Sequence, residues 1–132
     1  MMVVMQEDRL GCAVACVAFV LGTSYQDALK LFKDGERRVK DKPNFYCPEI
    51  VRILNNQGKQ YAWKKVKESE GKDFGELSIV FISRSESYKY GHFLCRYKGK
   101  WMDSWINLPK EKIRAGWRID LPGTPSYVIY MR

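Results

Sequence analysis

Cys12, His92, Asp103 and Gln6 are the residues whose types and order in this sequence can do chemistry together. The thiol closes the run Gln6-Glu7-Asp8-Arg9-Leu10-Gly11-Cys12, where an apolar stretch begins, and the histidine stands in Gly91-His92-Phe93-Leu94-Cys95. A free cysteine is mostly protonated near neutral pH, and the thiolate is the nucleophile. A helix N-terminus and a neighbouring imidazolium both favour that anion. His92 is the chain's only histidine, so there is no choice of base. An aspartate beside it would orient the imidazole and stabilise its charged form. Gln6, a side-chain amide on the segment before the nucleophile, would hold a developing oxyanion together with the N–H groups at the helix start. Each residue alone has a plainer explanation: a small core thiol, a hydrogen-bonded strand histidine, an ordinary polar side chain. Cys16, one turn deeper on the same helix face as Cys12, is read as such a core residue.

These side chains need elements to hold them. Cys12 to Leu21 is apolar on every side and reads as a central core helix ended by Gly22. Thr23-Ser24-Tyr25-Gln26 has the pattern of a capping box and opens a second helix to about Phe32. Lys33 to Asn44 is charged, contains Gly35 and Pro43, and reads as a loop. A third helix begins at Pro48, with proline in its first turn and Gly58 beyond its end. The second half is strand-like: Gln60 to Val66, then a polar loop from Glu68 to Gly75, then the continuous apolar strand Ser78 to Ser83. His92 to Tyr97 and Lys100 to Trp105 form a hairpin about Lys98-Gly99. Pro109 to Ala115 is expected as a short helix, and Ser126 to Met131 as the last strand. Helices first and an antiparallel sheet after them predict an α+β domain.

The hairpin register decides whether Asp103 meets His92. With Lys98-Gly99 as a two-residue turn, Tyr97 pairs with Lys100 and Leu94 with Asp103. Side chains alternate along a strand, so His92, Leu94, Asp103 and Trp105 are expected on one face, with Asp103 diagonal to His92. A slip of one residue would turn Asp103 away. The same alternation argues against a zinc set of Cys12, Cys16, His92 and Cys95. His92 and Cys95 point to opposite faces, and a helical Cys12/Cys16 pair does not form the knuckle that structural zinc usually takes.

The 132 residues suit one domain, and with 45% hydrophobic residues such a chain needs no disulfide or metal to fold. The net charge of +8 invites an acidic partner. The charges are dispersed and mixed, however, so a basic solvated surface is expected ahead of a nucleic-acid stripe. No basic leader precedes the first apolar run, and that run is too short to span a bilayer. With four cysteines and no secretory signal, a reducing cytoplasm is the expected setting.

Gln6, Cys12-Ala13, Cys16, Gly91-His92-Phe93 and Asp103, in that order, resemble the papain-like cysteine peptidases that process double-glycine leader peptides. The pattern differs in having Gly11-Cys12-Ala13 for the family's Asp-Cys-Gly and Asp103-Ser104 for its Asp-Pro. The resemblance implies a single papain-like domain over residues 1–132, its nucleophile helix packed on a C-terminal antiparallel sheet, in a stand-alone form. It implies catalysis by Cys12, His92 and Asp103 with Gln6 as oxyanion donor, a peptide or protein substrate, and no cofactor or metal. Acyl transfer would use the same triad. Trp101, Trp105, Tyr88 and Tyr90 cluster about the His92 segment and suit either a substrate groove or an interface. The competing expectation is therefore an inactive papain-like binding module, or a basic domain docking on an acidic protein or nucleic acid.

Overall fold

A ten-residue apolar run has nowhere to go but the interior, and the first helix, α1 (Cys12–Leu21), is buried from Ala13 to Val20. Gly22 ends it in the left-handed region, at φ 70°, where its N–H closes onto the last turn. The computed structural model describes residues 1–42, 45–67 and 73–132.

A second helix, α2 (Tyr25–Leu29), is capped by Ser24, whose hydroxyl accepts the Asp27 N–H at 3.0 Å. The expected cap lay one residue earlier, at Thr23, and the expected helix ran to about Phe32. It stops at Leu29 because the chain turns back on itself there: Gly35 lies so close to the Leu29 carbonyl that a Cβ would stand 2.6 Å from it. A further short helix, α3 (Gly35–Arg38), occupies part of the stretch expected to be loop. Arg38 grips Glu49 with two bonds of 2.7 and 2.8 Å and lies over the Phe45 ring. That pair fastens α3 to α4 (Cys47–Asn56), which has proline in its first turn as expected.

Six strands follow among the described residues: β1 (Tyr61–Lys65), β2 (Ile79–Ile82), β3 (His92–Tyr97), β4 (Lys100–Asp103), β5 (Gly116–Arg118) and β6 (Pro125–Met131). They form one antiparallel sheet in the order β1-β6-β2-β3-β4-β5. Among the described residues, four helices followed by this sheet make the chain α+β. Part of the polar loop expected from Glu68 to Gly75, and the end of the one expected to Asn44, lie outside the described residues.

The β3–β4 hairpin has the expected register, with Tyr97 opposite Lys100 and Cys95 opposite Met102. Lys98 and Gly99 both take positive φ, 48° and 78°, as a tight two-residue turn with the sheet's own twist requires. Two details depart from expectation. β4 ends at Asp103, so Trp105 lies in the following turn rather than on the strand. No helix forms from Pro109 to Ala115. Instead the Asn107 side chain clamps the loop, donating to the Lys112 carbonyl and accepting the Arg114 N–H, while the Ile106 N–H bonds the Arg114 carbonyl. Backbone groups held in that way cannot make helical bonds, and the chain emerges as β5, a strand the sequence did not announce.

Both faces of the sheet are covered. Ile79, Phe93, Cys95, Met102 and Ile129 join the helices in the main core, while Val80, Ile82, Leu94, Trp101 and Val128 form a second cluster. This explains why β2 is apolar throughout instead of alternating. α1 packs on α2, α4 and β3. No helix among the described residues is long and apolar enough to cross a membrane.

Candidate active site

The segment leading to Cys12 is shaped by hydrogen bonds before it becomes helix. The Gln6 N–H donates to the Ser104 carbonyl at 3.2 Å, and the Ser104 hydroxyl donates to Gln6 Oε1 at 2.7 Å. Gln6 Nε2 donates to the Asp8 and Arg9 carbonyls at 2.8 and 3.1 Å. A primary amide has two hydrogens, and both are spent. The side chain expected to hold an oxyanion is a buried brace for the turn in front of Cys12 in this geometry.

That turn delivers the chain to Gly11, the N-cap residue of α1. The Tyr25 hydroxyl packs against Gly11, where a Cβ would stand only 2.0 Å away, and donates to Asp8 Oδ2 at 2.9 Å. Any larger residue at position 11 would have to displace a buried phenol. No side chain caps α1. The N–H groups of Cys12, Ala13 and Val14 have no acceptor within the helix, so they are left as donors at its positive end. Cys12 is partly exposed there, whereas Cys16, Cys47 and Cys95 are buried, and all four thiols are free.

His92 begins β3 immediately after Gly91, whose φ of 72° and contact with the Phe81 ring admit no side chain. Its ring is buried. Nε2 lies 2.7 Å from Asp103 Oδ1, and the Tyr88 ring stacks on it at 5.3 Å. With Nε2 committed to Asp103, Nδ1 is the nitrogen left to face Cys12, whose thiol is near enough to act on the imidazole. Burial alone would pull the imidazole toward its neutral form. The Asp103 hydrogen bond, then the nearby Cys12 thiol and the charge of Asp103, outweigh it and push the pKa up from 6.5 to about 9.

Asp103 is wholly buried and fully used. Oδ1 also accepts the Trp105 N–H at 3.0 Å, and Oδ2 accepts Arg118 Nε at 2.6 Å. Burial works against its charge, yet the bonds to His92, Arg118 and Trp105 and the charge of His92 hold its pKa down at about 2. The structure thus brings Cys12, His92 and Asp103 together and turns the Gln6 amide toward its own loop. Cys16 is a core thiol: burial first, then the charges of Cys95, Cys12 and Asp103, push its pKa well up. Among the described residues no group of three or more histidine, cysteine, aspartate or glutamate side chains is placed to hold a metal.

Two neighbours of the imidazole were not identified by their contacts in the sequence. Tyr88 stood out only as one aromatic among several, and Arg118 not at all. Arg118 sits on β5, a strand of three residues too short for any periodicity. Of the other aromatics near this segment, Trp101 and Trp105 are buried and Tyr90 is exposed. No protein-family model matches the chain, and no curated protein matches it.

Proposed function

We propose that the protein is a thiol hydrolase that cleaves a peptide or isopeptide bond, with Cys12 as nucleophile, His92 as acid and base, and Asp103 as the group that orients His92. One observation carries this reading: the only imidazole of the chain is buried between a carboxylate at 2.7 Å and the thiol that opens α1. An ordinary core histidine would be satisfied by the carboxylate and would have no reason to sit at an uncapped helix end beside a partly exposed thiol.

The chemistry runs as follows. The Cys12 sulfur attacks the substrate carbonyl carbon, paired with the His92 imidazolium. The negative charge that develops on the carbonyl oxygen falls to the main-chain N–H groups of the first turn of α1, because Gln6 has no amide hydrogen to spare. The C–N bond breaks as His92 gives its proton to the leaving amine, leaving an acyl thioester on Cys12. Water then attacks the thioester, His92 takes one of its protons, and the acid and the free thiolate separate. An amine in place of water gives acyl transfer by the same steps.

The order of motifs and the α+β arrangement of a nucleophile helix on an antiparallel sheet favour the papain-like fold and a relationship to double-glycine leader peptidases, with a reducing compartment as the natural setting for the thiol. The test is labelling by iodoacetamide at low concentration, with the modified cysteine located by mass spectrometry. Wild-type protein is expected to carry the label at Cys12, and Cys12→Ala to carry almost none. Equal labelling of that variant would sink the assignment and leave a binding module as the better description.

A further inference from the structure

We propose that Arg118 is a positioning residue for this site: it fixes the Asp103 carboxylate from the side opposite His92 and thereby limits how tightly His92 holds its proton. For its catalytic meaning the inference rests on the thiol-hydrolase reading, but its central measurement does not.

The geometry begins with strand pairing. Asp103 stands opposite Gly116, and Trp101 opposite Arg118, so Arg118 is the diagonal neighbour of Asp103 on the same face. Gly116 presents no side chain, and Ile106 fills the place, lying 2.9 Å from where a Cβ would be. The carboxylate is therefore left to the arginine. Arg118 Nε meets Oδ2 at 2.6 Å, while Nη2 donates to the Ile106 carbonyl at 3.2 Å and the Tyr88 hydroxyl at 3.3 Å. Tyr88 is the ring stacked on His92. One guanidinium thus anchors both the carboxylate at the edge of the imidazole and the ring lying on its face.

The groups facing His92 are few. α1 contributes Cys12, with Cys16 behind it near Asp103. The segment before β3 contributes Tyr88, β4 contributes Asp103, and β5 contributes Arg118 behind Asp103. Only Arg118 among them is a permanent cation. Without it, a buried carboxylate whose strongest partner is an imidazole would hold the imidazolium as one tightly coupled pair. That suits a resting ion pair but makes a poor acid, and His92 must release its proton to the leaving amine. A guanidinium on the far oxygen keeps the carboxylate charged whether or not His92 is protonated, and weakens its hold on the imidazolium.

The single histidine gives a single imidazole signal, so its titration by NMR in isotope-labelled protein needs no assignment. Arg118→Met is expected to move the His92 midpoint upward by about one unit. Arg118→Lys, which restores the charge, should return it most of the way to wild type. If methionine does not fold on this edge strand, Arg118→Gln carries the same expectation. The alkaline limb of the Cys12 alkylation rate should shift together with the NMR midpoint. An unchanged or lowered midpoint in the uncharged variants, or an equal shift in Arg118→Lys, overturns the proposal. A reactive Cys12 with an unmoved midpoint removes the role of Arg118 alone. An inert Cys12 with the shift intact removes the hydrolase reading and leaves the role of Arg118 on His92 standing.

Discussion

Among the described residues two helices begin with a cysteine, and each is ten residues long. Cys12 opens α1 and Cys47 opens α4. Neither helix has a side-chain cap, although α4 carries Pro48 and Glu49 in its first turn and α1 no acidic residue there. Yet Cys47 is buried, and burial pushes its pKa up to about 11, with a backbone hydrogen bond only partly opposing it. Cys12 is partly exposed and has His92 beside it. The comparison teaches that a helix N-terminus by itself does not set a thiol's surroundings. The dipole is common to both sites, and the imidazole and the solvent are not.

The sharpest way to break this contrast is to remove each thiol in turn. Cys12→Ala is expected to abolish rapid iodoacetamide labelling near neutral pH, and Cys47→Ala to leave its rate unchanged. Rapid labelling traced to Cys47 by mass spectrometry would reverse the contrast. The next largest effect belongs to the partner. His92→Gln should lower the Cys12 alkylation rate near neutral pH by about 100-fold, bringing it toward the behaviour of a helix-start thiol without a base.

A third test uses pH. His92 binds its proton more tightly in the folded chain, with a pKa of about 9 against 6.5. Between those values the folded state carries a proton the unfolded state has lost, so stability falls as pH rises from 6.5 to 9. Asp103 acts at the other end: its contribution is complete above 3.8 and is lost as pH falls toward 2. Urea unfolding is expected to show a loss of roughly 2–3 kcal/mol on the alkaline side, absent in His92→Gln. A slope that survives in the variant would assign it elsewhere. The smallest effect concerns the scaffold that distinguishes the start of α1 from that of α4. Tyr25→Phe removes the bond to Asp8 and should cost about 1 kcal/mol in the same unfolding measurement. No loss would mean that the ring alone, packed on Gly11, shapes that turn.

The parts of the site legible in the sequence are those set by local rules. Lys98-Gly99 accepts two positive φ values, which set the hairpin register and carry Asp103 to His92. The apolar run after Gly11 could only be a buried helix. What escaped was set by distant partners. α3 is a glycine and three charged residues held by the reach of Arg38 to Glu49, and β5 is three residues with pairing to β4 but no pattern of their own. Proline at position 109 looks like a helix start, but Asn107 takes the backbone groups a helix would need. The direction of the Gln6 amide depends on two carbonyls that face it only once the turn before α1 has formed.

The bonds between Gln6 and Ser104 join positions 98 apart in the chain. Their cost is one of loop closure, and they cannot form until residue 104 has been synthesised. A nascent chain therefore displays Cys12 early but has no base until β3 is made, and no fixed carboxylate until β4 and β5 pair. On the proposed hydrolase reading, the reactivity of Cys12 waits until β3, β4 and β5 have paired and the segment of Gln6 has closed on Ser104. Chains stalled on the ribosome before residue 92 should react with iodoacetamide no faster at Cys12 than at Cys47.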